Sequence, residues 1–120
     1  MATTFAVVEA AESFTHVKII GALDLASTRE IELRFTASTA GRHKSVIIDM
    51  SQVPFIASVG IGLLIQVSRT LATDRQSLVL LAPSEMIEHT IRIARLDTVI
   101  RMVKTIEEAR ELLKLAPHVA

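Results

Sequence analysis

The segment Ser45-Val-Ile-Ile-Asp-Met50 and, shortly after it, Pro54-Phe-Ile-Ala-Ser58-Val-Gly60-Ile-Gly62 decide how the rest of the chain is read. The first is a short apolar run with basic and polar neighbours, as expected of a strand covered on both faces and therefore central in its sheet. Pro54 breaks it. From about Val59, the positions Ile61, Leu64, Ile65, Ser68 and Leu71 recur at helical spacing and predict a helix. Met50 to Ser68 is 19 residues without a charge, long enough to span a membrane. It also holds Ser51, Gln52, Pro54, Ser58, Gly60, Gly62, Gln66 and Ser68, which suit a bilayer poorly. A buried strand, a turn and a helix packed in one domain account for it better.

Upstream, Phe5 to Val8 and Val17 to Ile20 have the character of short strands, and Glu12-Ser13 is a polar turn between them, which predicts an antiparallel hairpin. Gly21-Ala-Leu-Asp24 leads into Ser27-Thr-Arg-Glu30, whose spacing is that of a capping box, so a helix is expected to begin there. Ile31 and Phe35 lie one turn apart on it, and Gly41 suits its stop. Downstream, Asp74-Arg75-Gln76 connects to a second buried-strand run, Ser77 to Ala82, and Pro83-Ser84 opens a third helix with Ile87, Ile91 and Ala94 facing inward. Thr98 to Val103 reads as a last strand. Thr105-Ile-Glu-Glu108 caps a closing helix with Ile106, Ala109 and Leu113 on its apolar side. A hairpin followed by alternating helices and strands is an α/β pattern with a mixed sheet, parallel wherever helices form the crossovers.

Length and composition agree. The 120 residues, half of them hydrophobic, form one domain over residues 1–120 with enough apolar side chain for its own core. Thirteen Lys and Arg balance thirteen Asp and Glu, leaving no net field to draw the chain to nucleic acid or an anionic membrane. The four aromatics are all Phe, which leaves little material for stacking bases. Without Cys there is no disulfide framework, thiolate metal site or thiol nucleophile. The start, Met1 to Glu9, lacks a basic n-region and a long apolar core, and the expected location is the cytoplasm.

Templates for catalysis find little. Ala57-Ser58-Val59-Gly60 carries only the second half of a nucleophile elbow, since Ile56 stands where the first Gly is needed. His16, His43, His89 and His118 are scattered, with no pair at metal-ligand spacing. Gly60-Ile-Gly62 lacks the third glycine of a dinucleotide fingerprint, its place being taken by Ile65, and no P-loop occurs. The sequence predicts no enzyme, metal or cofactor. What remains is Ser58, placed at or just before a helix N-terminus, where unpaired N–H groups and the positive dipole end tolerate a phosphoryl group. Its neighbours are apolar, and the two glycines expose backbone that another protein can approach. The simpler reading makes Ser58 an N-cap, the glycines packing positions, and Asp24 and Asp49 turn and strand-end residues.

In this order, Gly21-Ala-Leu-Asp24, Val46-Ile-Ile-Asp49-Met50, Phe55-Ile-Ala-Ser58-Val-Gly60-Ile-Gly62-Leu-Leu64, Leu78-Val-Leu-Leu81 and the Ile91 to Val99 region resemble the STAS domain family, which includes bacterial anti-sigma-factor antagonists and cytoplasmic domains of sulfate transporters. The resemblance covers nearly the whole chain. It implies a mixed sheet with its N-terminal hairpin and four helices packed mainly on one side. It also implies a non-enzymatic interaction module that binds an anti-sigma factor with kinase activity. That partner phosphorylates the antagonist at the position of Ser58, and a phosphatase resets it. By the same resemblance Asp24 falls in the loop beside the phosphorylation site, and Ala57, Val59, Gly60, Ile61 and Gly62 complete the partner-binding surface. Family antagonists usually carry Asp before the phosphorylated Ser and Ser or Thr after it, where this chain has Ala57 and Val59.

A second reading makes the chain an accessory subunit of a membrane lipid or anion transporter, docking through the helix face around Ile61 and Leu64, with Ser58 unphosphorylated and merely a cap. A third is a small-molecule sensor with a cavity between sheet and helices, for which the sequence shows no convergent polar cluster.

Overall fold

A computed structural model describes residues 3–115. Its five strands are β1 (Thr4–Ala10), β2 (Phe14–Ile20), β3 (Ser45–Gln52), β4 (Leu78–Leu81) and β5 (Ile100–Val103). Its four helices are α1 (Leu25–Ser38), α2 (Ser58–Thr73), α3 (Glu85–Ile93) and α4 (Ile106–Leu115). The strands lie side by side in chain order, with β1 antiparallel to β2 and every later pair parallel. The apolar run at Ser45 is therefore the middle strand, as its lack of a polar face predicts. Met50 to Ser68 resolves into the end of that strand, a loop and the first half of α2.

Strand order explains where the helices go. Each of α1, α2 and α3 joins two neighbouring parallel strands, and the sheet advances in one direction, so right-handed crossovers place all three on one face. There Ile31, Phe35, Leu63, Leu64, Val67, Leu71, Ile87 and Ile91 pack on Val17, Ile19, Val46, Ile48, Met50, Leu80 and Ile100. The other residues of the same strands, Ile47, Val79, Leu81 and Val103, form a second cluster with Ala109 and Leu113 of α4. No strand follows α4, so the crossover rule does not bind it, and it covers the opposite face. Arg110 fastens it to the edge of the sheet, with its guanidinium 2.9 Å from Glu9 and over the Phe14 ring at 5.5 Å. Three helices thus share one side and the fourth does not.

Several boundaries differ from the sequence reading. α1 starts at Leu25, with Asp24 rather than Ser27 as its N-cap. Gly41 lies within a 3-10 turn, Ala40–Arg42, and the left-handed residue that ends the segment is His43 at φ 58°. α3 stops at Ile93, which leaves Ala94 exposed while Ile87 and Ile91 are buried as expected. On α2 the buried residues are Gly60, Leu63, Leu64, Val67 and Leu71, so Leu63 and Val67 belong to the core while Ile61, Ile65 and Ser68 stand at its margin. The capping box at Thr105 is present, with Glu108 N–H donating to Thr105 Oγ1 at 3.1 Å. His118 lies outside the described residues.

Candidate functional site

Beyond the ends of β2 and β3 the two chains keep running in parallel. Gly21 N–H donates to Gln52 O (3.0 Å), Leu23 N–H to Phe55 O (2.9 Å), and Ala57 N–H to Leu23 O (2.9 Å), with Leu23 and Ile56 forming a bridge. Gly21 makes the departure possible, because at φ +116° a Cβ there would stand 2.7 Å from Thr3 Oγ1. Leu23 is fully buried and Ile56 nearly so. These anchors fix where the helices begin. Asp24 and Ala57, each one residue past the same bridge, become the N-caps of α1 and α2.

The two caps differ chemically. Asp24 Oδ1 accepts from Ser27 N–H at 2.9 Å, and that bond holds its carboxyl below the usual carboxylate range. Ala57 offers no side-chain acceptor. Gly60 N–H and Ile61 N–H both donate to Ala57 O, at 2.9 and 3.0 Å, while Ser58 N–H and Val59 N–H have no acceptor among the described residues. Ser58 is not the cap but the first residue of α2, exposed, and its hydroxyl has no hydrogen-bond partner among those residues. The simpler reading of Ser58 as an N-cap is thereby corrected: the bridge at Ile56 moves the cap back by one residue.

Asp24 gives a prediction with a definite sign. Its folded pKa is depressed, so its stabilising contribution is present above the unfolded value and is lost as pH falls through the folded one. Asp24→Ala is expected to melt below wild type at neutral pH, and the gap should close in strong acid. Thermal unfolding of both proteins across that range measures it, and a constant gap would refute the capping role.

The remaining predicted residues divide. Asp24 and Ser58 are exposed, and Ala57 and Val59 are partly so. Gly60 is buried, because a Cβ would stand 2.9 Å from both Leu23 Cβ and Leu23 O, so this glycine serves the packing of the two loops rather than an approaching partner. Gly62 is exposed, with nothing within 4 Å of a built Cβ. Ile61 packs against the core and Leu64 is wholly inside it, so the helix face around Ile61 and Leu64 is not a free docking surface. Sequence reasoning missed two residues here: Leu25, 58% exposed at the start of α1, and Phe55, 47% exposed in the loop before α2. Neither belongs to a period. A large apolar residue directly after a cap, or between a proline and a buried Ile, was the available signal.

Among the described residues no three His, Asp or Glu side chains are grouped to hold a metal ion, and no helix is long and apolar enough to cross a membrane.

A family description of the STAS domain matches residues 6–109. The chain belongs to the STAS domain family. As a STAS domain it is similar in structure to a Thermotoga maritima protein described as an anti-sigma factor antagonist (TM-score 0.80, 17% identity, covering 92% of this chain and 93% of that one). It is also similar to an anti-sigma factor antagonist from Mycobacterium paratuberculosis (0.77, 21%, 94% and 95%). The anti-sigma factor antagonist SpoIIAA matches in its unphosphorylated form (0.72, 19%, 93% and 99%) and, from Bacillus, in its phosphorylated form (0.65, 17%, 91% and 99%). At these identities the likeness shows a shared fold: one α/β domain with a mixed five-stranded sheet and four helices.

Proposed function

We propose that this STAS domain is an anti-sigma-factor antagonist: it binds a kinase-type anti-sigma factor through the surface around Ser58, and phosphorylation of Ser58 releases it. The observation that carries this reading is the exposed hydroxyl at the first position of α2, without a hydrogen-bond partner among the described residues and beside two backbone N–H groups that have no acceptor among them. A kinase can reach such an oxygen. The phosphate it leaves is favoured by the helix N-terminus, so modification leaves the fold intact. Leu25 and Phe55, exposed in the two segments that the Leu23–Ile56 bridge pairs, supply apolar area that the unmodified surface can bury against a partner. Asp24, Ala57 and Val59 lie within this surface, and Gly62 extends it along α2. The function asks for no catalysis by the chain itself, only an accessible acceptor and a surface that changes charge. A phosphatase is the second partner the cycle needs.

Incubation of the full chain with the kinase-type anti-sigma factor and ATP, followed by intact mass, tests it. One added phosphoryl group is expected on wild type and none on Ser58→Ala. An unchanged mass for wild type, or the same gain in Ser58→Ala, overturns the assignment. Wild type left unmodified, together with recovery of the chain in a stable complex with transporter components that phosphatase treatment does not alter, would establish the accessory-subunit alternative.

A further inference from the structure

At the far end of α2, about 15 Å along the helix from Ser58 to Ser68, a separate cleft of about 430 Å³ opens between α2 and the loop joining α3 to β5. Ile65, Ser68 and Arg69 form one wall, Arg95, Leu96 and Val99 the other, and Leu78 contributes buried apolar surface from β4. Its size lies in the range of small-molecule sites. Its chemistry is one-sided. Two arginines, Arg69 and Arg95, are among its lining residues and no Asp or Glu is, although the chain as a whole has no net charge.

Neither arginine is matched internally. Arg69 and Arg95 make no salt bridge and no side-chain hydrogen bond among the described residues, whereas Arg92, one turn before Arg95, is held by Glu88 at 2.8 Å and faces Asp97 at 3.7 Å. The one acid in the loop is thus turned to a different arginine. The helix turn that ends α3, with Leu96 N–H donating to Ile91 O at 3.0 Å, folds Leu96 against the core while Val99 remains 58% exposed at the cleft. The result is a trough in which Ile65, Ala72, Leu78, Leu96 and Val99 alternate with neutral polar Ser68, Gln76, Ser77 and Thr98, and whose two arginines have no ion-pair partner among the described residues.

We propose that this cleft binds a small amphipathic anion, a carboxylate or phosphate monoester carrying an unbranched apolar chain. Planar guanidiniums recognise such oxygens through paired N–H donors, and an ammonium headgroup finds no counter-charge there. The apolar tail lies along Ile65, Leu96 and Val99, surface that is otherwise left to water. The site is independent of the Ser58 surface, and its ligand requires no phosphorylation of the chain.

Titrating the isotope-labelled full chain with decanoate, followed by amide chemical shifts, tests the proposal. Saturable shifts are expected at Ser68, Leu96 and Val99, with a dissociation constant of roughly a millimolar or below. Decylamine, with the same chain and the opposite charge, is expected to bind about tenfold more weakly, as is decanoate to the double variant Arg69→Gln and Arg95→Gln. That variant touches exposed side chains, and its own spectrum reports whether it is folded. Decyl phosphate binding more tightly than decanoate at the same amides supports the site and assigns phosphate as the headgroup. The proposal is overturned if decanoate gives no saturable shifts at these residues, if decylamine matches it, or if the folded double variant binds as well as wild type.

Discussion

Phosphorylation of Ser58 is expected to weaken the proposed complex with a kinase-type anti-sigma factor by about 3 kcal/mol, roughly a hundredfold in dissociation constant. The modification adds about −1.5 to −2 charges. It does so between Ala57 and Val59, with exposed Leu25 and Phe55 in the two paired segments, where a partner that fits the unmodified surface has apolar groups to match. Burying a dianion there without a cation costs several kcal/mol. In the free chain the same phosphate meets the N–H groups of Ser58 and Val59, so the melting temperature should not fall. Lost affinity with unchanged stability is the signature. Ser58→Asp, with one charge and a shorter reach, should lose about tenfold, and Ser58→Ala should bind within about twofold of wild type. Calorimetric titration of the four forms reads these differences. A partner that binds the phosphorylated form more tightly, with affinity falling steeply in salt, would instead be supplying cations to the phosphate, and the release mechanism would be wrong.

How much of this was legible in the sequence depends on the kind of signal. The apolar runs at Val46 and Leu78 declared themselves as covered strands because such runs have no exposed face to carry polar residues. The crossover helices followed from alternation. The side taken by α4 did not, since its amphipathic period says that one face is buried without saying against which side of the sheet. The resemblance to a family, which groups the helices mainly on one side, described three of the four. Two helix starts were read away from their true places for a related reason, that of α1 by three residues and that of α2 by one. Asp24-Leu-Ala-Ser27 and Ser27-Thr-Arg-Glu30 both have capping spacing, and the choice between them is made by Leu23, whose burial and paired backbone groups come from a loop more than thirty residues away in the chain. Ser58 shows the same dependence. Its position near a helix N-terminus was visible locally, but the bridge between Leu23 and Ile56 makes Ala57 the cap and leaves the Ser58 hydroxyl without a partner among the described residues. Arg69 and Arg95 were not visible as a pair at all, because only packing of the loop after α3 beside α2 brings them to one cleft.

The two glycines of α2 offer the sharpest test of the loop geometry, because one substitution made two residues apart should have opposite effects. Gly60→Ala is expected to destabilise the fold by about 2 kcal/mol. The added methyl would stand 2.8 Å from Ile56 Cγ1 and 2.9 Å from Leu23 Cβ and Leu23 O. Ile56 has limited room to turn, and Leu23 cannot withdraw, since its N–H is bonded to Phe55 O and its carbonyl to Ala57 N–H. The helix must move, or the paired loops must part. Against this stands a gain of up to about 1 kcal/mol for alanine over glycine in a helix, reduced here because Gly60 is in the first turn. The clash wins. At Gly62 a Cβ meets nothing within 4 Å, so only the gain remains, and Gly62→Ala should be stabilised by several tenths of a kcal/mol or more. The loss of unfolded-chain freedom is the same in both variants and cancels in the comparison. A separation of about 3 kcal/mol corresponds to roughly 10 °C in melting temperature for a domain of this size. Equal melting temperatures would mean that Leu23 does not lie against α2 and that the Asp24 and Ser58 loops are not held side by side. Because Gly62→Ala keeps the fold, any fall in its affinity for the anti-sigma factor reports a backbone approach at that point on the helix, and Gly60→Ala, which disturbs the paired loops themselves, should weaken binding even under conditions where it remains fully folded.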